Sequence, residues 1–119
     1  MLREFLSFCE EKYHVKHVKE EVSPKYEITK YLSKYDGNLM IFEKVKGWPN
    51  PIISGLVGNK ELAKMAINVK SDEELYLKMI SASSSPMRPK LTEDAQFLDE
   101  VKESVDLSKL PILYHFEKD

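Results

Sequence analysis

An α/β fold is what this sequence predicts, a small mixed sheet of roughly three to five strands flanked by about four helices, with an α+β layout as the alternative. Three observations carry that expectation. Segments with an apolar residue every three or four positions alternate with short runs that are apolar almost throughout, the pattern of helices around strands covered on both faces. Residues that start and stop helices fall between these segments. Finally, 119 residues, of which 18 are basic, 20 acidic and 42% apolar, suit one compact domain over residues 1–119, large enough to bury a core without metal or disulfide staples.

Leu2, Phe5, Leu6 and Cys9 recur at helical spacing, so the first dozen residues read as a helix with one apolar stripe. Val15, Val18 and Val22 among charged residues give a strand signal around residues 14–20. Ser23 before Pro24 reads as a helix start: a serine side chain caps free N–H groups, and proline lacks the N–H that a first turn cannot use. Ile28, Tyr31, Leu32 and Tyr35 supply that helix's buried face, and Asp36-Gly37-Asn38 ends it. Leu39–Phe42 and Pro51–Val57 read as two strands, joined through the turn formers of Gly47-Trp48-Pro49-Asn50-Pro51. A third helix, capped by Asn59, carries Leu62, Met65, Ala66 and Val69 on one stripe. Ser71 and Glu74 have capping-box spacing for a fourth, running to about Ala82, with Asp72 and Glu73 favourable beside its positive end. Residues 83–94 form a Ser/Pro-rich loop. Beyond it, Leu98, Val101, Lys102 and Val105 make a weak helical stripe crowded by acids.

Composition narrows the function. With 18 basic against 20 acidic residues there is no electrostatic case for nucleic acid, which calls for a basic excess on one face. The longest uninterrupted apolar stretch, Leu39–Phe42, falls far short of the ~18 residues of a membrane span. Glu4, Glu10 and Glu11 interrupt the N-terminal apolar positions, unlike an export signal, and a single cysteine has no internal disulfide partner, so a reducing, cytoplasmic setting is expected.

No group of residues forms a convincing catalytic constellation. His14 and His17 would share a face on a helix but point oppositely on a strand, and no third metal ligand lies at a recognisable spacing. His115 stands alone near the C-terminus. Cys9 belongs to an apolar stripe, where a thiol behaves as a small hydrophobe. Ser83, Ser84 and Ser85 lack the Gly-x-Ser-x-Gly setting that exposes a hydroxyl nucleophile. Gly55 and Gly58 before a helix start invite a phosphate-binding reading, yet Ser54-Gly55-Leu56-Val57-Gly58-Asn59 fits no phosphate-loop pattern. The acids at 72–74 and 93–94 read as helix starts, and Tyr26, Tyr31 and Tyr35 as packing residues. The expected site list is therefore empty: no catalytic, cofactor-binding or metal residue.

Four segments, in order, carry a resemblance. Leu2-Arg3-Glu4-Phe5 matches an "LREF" start, and Glu20 to Ile28 is similar to "KEVDPxLEI". Ile41 to Pro49 is similar to "LFENVKGxP", with Lys44 where Asn is customary and Pro51-Ile52-Ile53 where "PVV" follows. Val105 to Leu113 is similar to "VDLxKLPIL". Together they resemble the N-terminal region of the UbiD family, decarboxylases related to 3-octaprenyl-4-hydroxybenzoate carboxy-lyase that use prenylated FMN.

The resemblance implies an N-terminal α/β domain that packs against a flavin-binding domain in a carboxy-lyase acting on an aromatic or α,β-unsaturated acid. It places the prenylated FMN, divalent metal and potassium sites, and the catalytic residues, in parts of the longer enzyme not matched here, and it implies a homo-oligomeric full-length protein. The cofactor would carry the chemistry and this domain would supply position. For residues 96–101 the resemblance implies an extended segment against the weak helical stripe. The alternative function is a free-standing interaction module of the same fold without enzymatic activity; a self-contained small enzyme has the least support.

Overall fold

The structure, a computed structural model, describes residues 2–92 and 104–119. Its elements are helix α1 (Leu2–Lys12), strand β1 (Lys16–Val22), helix α2 (Glu27–Lys34), strands β2 (Met40–Val45) and β3 (Ile52–Ser54), and helices α3 (Lys60–Ala66) and α4 (Asp72–Ser84). A single turn of 3-10 helix follows at Leu107–Lys109. The three strands form one mixed sheet in the order β1-β2-β3, so among the described residues the expected α/β class, the strand number and the four helices all hold.

β1 runs parallel to β2, with His17 opposite Ile41 and Val18 opposite Phe42, and the register shifts between Val18 and Glu21. The connection between them is α2, as a parallel pair requires. β2 and β3 are antiparallel, pairing Ile41 with Ile53 and Phe42 with Ile52. Their link turns at Gly47, whose φ of 79° suits glycine, and Trp48 donates its N–H back to Val45 O at 2.9 Å.

Alternation along the strands splits the core across the sheet. Val18, Val22, Met40, Phe42 and Val45 pack with Ile28 of α2, flanked by Tyr31, Leu32 and Trp48. On the other side Leu39 packs with Cys9 of α1 and Leu62 of α3, flanked by Phe5, Leu6 and Ile53. Both faces are covered, as the unbroken apolar runs predict. Phe42, Ile28, Leu39, Met40 and Leu62 are fully buried, and each contributes on the order of 2 kcal/mol through lost contact with water.

Boundaries differ from expectation at several elements: β1 spans Lys16–Val22 rather than 14–20, α4 runs to Ser84, past Ala82 and into the expected 83–94 loop, and three others shift further. Ser23-Pro24 does not start α2. Instead Tyr114 O accepts the N–H of Tyr26 at 3.0 Å and Tyr114 N donates to Pro24 O at 3.1 Å. This parallel bridge to the C-terminal segment keeps the chain extended, and the helix begins only after Tyr26, which has φ 67° and no side-chain cap. Ser23 Oγ accepts from Lys25 N in a local turn. β3 stops at Ser54, short of the predicted Val57, because Gly55 turns the backbone to φ 79°. β2 extends to Val45, past the predicted Phe42.

The helix caps follow the sequence closely. Asn59 Oδ1 accepts the N–H of Leu62 at 3.0 Å, and its amide donates to Gly37 O at 2.7 Å and to the Tyr13 hydroxyl at 2.9 Å. One residue thus starts α3 and ties it to the ends of α1 and α2. Ser71 Oγ caps Glu74 N at 3.1 Å, while the Glu74 carboxylate accepts from Lys70 N at 2.7 Å. Lys60 and Lys64 both pair with Asp72, fastening α3 to the start of α4. The predicted residue 96–101 segment lies outside the described residues, apart from which residues 85–92 carry no regular element.

Candidate domain-docking surface

α4 places its apolar residues outward. Only Leu75 is buried; Tyr76, Leu77, Met79 and Ile80 are exposed, Ile80 at 62%. At 100° per residue these four cover an arc of about 160° of the helix. An ordinary surface helix turns its apolar stripe to the core and a charged face to water; α4 after Leu75 is exposed at every position through Ser84, so its apolar residues meet solvent. The chain leaving α4 continues the pattern: Met87 and Leu91 are 94% and 96% exposed, within Pro86-Met87-Arg88-Pro89-Lys90-Leu91.

A second apolar surface lies on the C-terminal segment, residues 104–119. Leu113 packs against the core beside α2, and the bridge at Tyr114 pins the segment to the turn before α2. Thr29 Oγ1 is 2.9 Å from His115 Nδ1, so His115, without a visible partner in the sequence, is tied to α2. Strand-like alternation then turns Ile112, Tyr114 and Phe116 to the exterior, with Val105, Leu107 and Leu110 exposed before them. The Trp48 ring stands between two clefts formed with this segment: Pro24, Val45, Leu110 and Ile112 line one, Val105, Asp106 and Leu110 the other. Exposed apolar residues gathered on one segment make it a candidate interaction surface.

The residues weighed for chemistry take structural positions. Cys9 is fully buried between α1 and the sheet, and desolvation, then Glu10, pushes its thiol up from the ordinary cysteine range. A thiolate is disfavoured there. His17 lies between Glu10 and Glu43, while His14 stays apart from that pair, and among the described residues no three His, Cys, Asp or Glu side chains gather as metal ligands. Gly55 is needed for space: a Cβ there would fall 2.1 Å from Asn38 O. Gly58 is less tightly packed, with a Cβ there 3.1 Å from Gly37 O by the same measure, and its N–H is spent on Gly55 O. The Gly55–Asn59 turn is thus a packing knot in which the Gly58 N–H is spent within the turn and the Asn59 side chain caps Leu62.

Tyr31 donates to Glu20 at 2.5 Å, which raises the phenol and lowers the carboxyl. Tyr35 is lowered by Lys34 and Lys16, the latter with its ammonium 3.5 Å from the ring centroid. Ser84 Oγ donates to Ile80 O inside α4. What sequence reasoning missed is the outward face of α4; its signal was present in Tyr76-Leu77-Lys78-Met79-Ile80, where apolar residues exceed what one core-facing stripe needs.

The layout of helix, strand, helix, strand, strand, helix, helix coincides with a known family. The family described as the 3-octaprenyl-4-hydroxybenzoate carboxy-lyase N-terminal domain, UbiD_N, matches residues 6–81, from α1 into α4. This chain belongs to the UbiD N-terminal domain family. Among solved structures, the UbiD-class enzyme HmfF from Pelotomaculum thermopropionicum in complex with FMN matches with a TM-score of 0.85 and 37% identity, over 97% of this chain and 27% of HmfF. An evolved dimeric form of the same enzyme in complex with prFMN matches with a TM-score of 0.83 and 35% identity, over 97% of this chain and 28% of that one. An anhydromevalonate phosphate decarboxylase of Methanosarcina mazei is 30% identical, over 98% of this chain and 26% of its own length. This UbiD-family chain therefore spans about a quarter of the relatives it matches, with coverage of 26% and 27% in two of these comparisons. Among its described residues no helix is long and apolar enough to cross a membrane.

Proposed function

We propose that this domain is the N-terminal structural flank of a UbiD-like decarboxylase, a carboxy-lyase acting on an aromatic or α,β-unsaturated acid, and that it packs against the flavin-binding domain through α4 and the C-terminal segment. The observation that carries this reading is the outward apolar face of α4, with Tyr76, Leu77, Met79 and Ile80 exposed on a domain that corresponds to 27% of HmfF. Burying such side chains against a neighbour removes apolar area from water, the main driving force for domain association.

This reading assigns no cofactor-binding role to the described residues. In the Gly55–Asn59 turn the Gly58 N–H donates to Gly55 O and the Asn59 side chain caps Leu62, and among the described residues no three metal-ligating side chains converge and no buried side-chain polar atom lacks a partner. In this reading prenylated FMN, its metal and the acid substrate are held by the remainder of the enzyme. The domain's part is to cover and position that remainder. A single, buried cysteine accords with a reducing, cytoplasmic setting.

The test is a chimera in which this chain replaces the matching quarter of HmfF. The chimera is expected to be soluble, to load flavin and to retain HmfF activity. Ile80→Lys together with Ile112→Lys should release the domain to proteolysis and lower activity by at least about tenfold, the effect of placing charges in a desolvated contact. A substituted chimera indistinguishable from the unsubstituted one would overturn the proposed surface.

A further inference from the structure

His17 joins three elements through one ring. It lies on β1, with Nε2 3.0 Å from Glu10 Oε1 on α1 and Nδ1 3.0 Å from Glu43 Oε1 on β2. Among the described residues these two carboxylates are the charged groups within ion-pairing distance of the ring, and the cross-strand neighbour is the apolar Ile41. The lysines of β1 form no ion pair with either carboxylate: Lys16 lies over the Tyr35 ring, and Lys19 has no ion pair among the described residues. The lysine ion pairs of the described residues run elsewhere, to Glu61, Asp72 and Asp106. His17 is thus, among the described residues, the one cationic partner open to both Glu10 and Glu43.

A carboxylate only accepts hydrogen bonds. A neutral imidazole has one N–H and one lone pair, so it satisfies one carboxylate and aims its lone pair at the other; an imidazolium donates to both. We propose that His17 is a proton-dependent clip that fastens α1 to the sheet: the protonated ring bridges Glu10 and Glu43, and loss of its proton opens one of the two contacts. Packing of Cys9, Phe5 and Leu6 keeps α1 in place on its inner face, so the clip governs the outer edge of the helix's last turns. Because the doubly bonded form needs the proton, its contribution is lost when the ring loses that proton while both carboxylates stay ionised.

The test uses the 119-residue chain. The ring nitrogens of His17 are followed by nuclear magnetic resonance from pH 5 to pH 8.5, and exchange of the amides at Cys9–Tyr13 is measured in the same samples, corrected for base catalysis. Protection should fall about two- to fivefold, the range of an exposed ion pair, over the interval in which the His17 ring loses its proton. Glu43→Gln and Glu10→Gln each supply an amide that donates to the neutral ring's lone pair, and each should flatten the pH dependence while keeping the helix protected. Protection that stays constant through the His17 titration, or that falls equally in both glutamine variants, would overturn the clip. His17→Phe, lacking ring nitrogens, should show the lower protection at every pH, and full protection in that variant would count against it as well.

Discussion

Gly55→Ala separates the two readings of the glycine turn before α3. The perturbation has two parts. Gly55 has φ 79°, a left-handed conformation that costs an L-residue about 1–2 kcal/mol. In addition, a Cβ at this position would sit 2.1 Å from Asn38 O and 2.9 Å from Asn38 C, both backbone atoms, so the chain must yield by more than an ångström. Asn38 leads straight into Leu39 and Met40, both fully buried, which leaves little freedom to yield. Overpacking of this kind adds about 1–3 kcal/mol, for a total near 3 kcal/mol or more. Gly47 provides the control: its φ is also 79°, but nothing lies within 4 Å of a Cβ there, so Gly47→Ala should show the backbone part alone. In urea unfolding, with a slope of about 1–3 kcal/mol per M, a 3 kcal/mol loss lowers the midpoint by roughly 1–3 M, and the midpoint of Gly55→Ala should lie well below that of Gly47→Ala. Equal midpoints would refute the packing argument and reopen a ligand-binding purpose for Gly55.

Two further outcomes follow from the contacts around α3 and α4. Asn59→Ala removes the cap on Leu62 and the amide's bonds to Gly37 and Tyr13; chemical denaturation should show a loss of about 1–2 kcal/mol, and Asn59→Asp, which keeps the acceptor alone, should recover part of it. Asp72 is held below the ordinary aspartate range by Lys60 and then Lys64. Its contribution is therefore present at neutral pH and lost as pH falls through its lowered value, so the acid limb of a stability-against-pH curve should be shallower in Asp72→Asn than in the parent chain.

The fold was legible in the sequence wherever the cause of structure is local. The Asn59 and Ser71 caps, the turn at Gly37 and the Phe5–Cys9 part of the α1 stripe are set by residues within a few positions of one another and appear as read, while Leu2 of that stripe is exposed. The start of α2 was not, because what holds Pro24 and Tyr26 extended is Tyr114, a partner from the far end of the chain. Likewise the Glu10–His17–Glu43 bridge joins residues seven and 26 positions apart, whose meeting depends on α1 packing against the sheet and on the β1–β2 register. For the docking surface the apolar excess of α4 was visible, but its direction was not: period alone does not say whether a stripe meets the core or the solvent, and Leu75 alone of that helix turns inward. The UbiD resemblance, carried by segments spread along the whole chain, named the family that the match over residues 6–81 establishes.

Whether this domain works as part of a decarboxylase is tested most directly by the intact mass of the polypeptide in its native cells, detected with an antibody raised against the 119-residue chain. The predicted result is a band several times heavier than 13.8 kDa, carrying a flavin-binding region in the same molecule. A native product of 13.8 kDa that purifies free of any flavin protein would contradict that role and point to a free-standing interaction module instead.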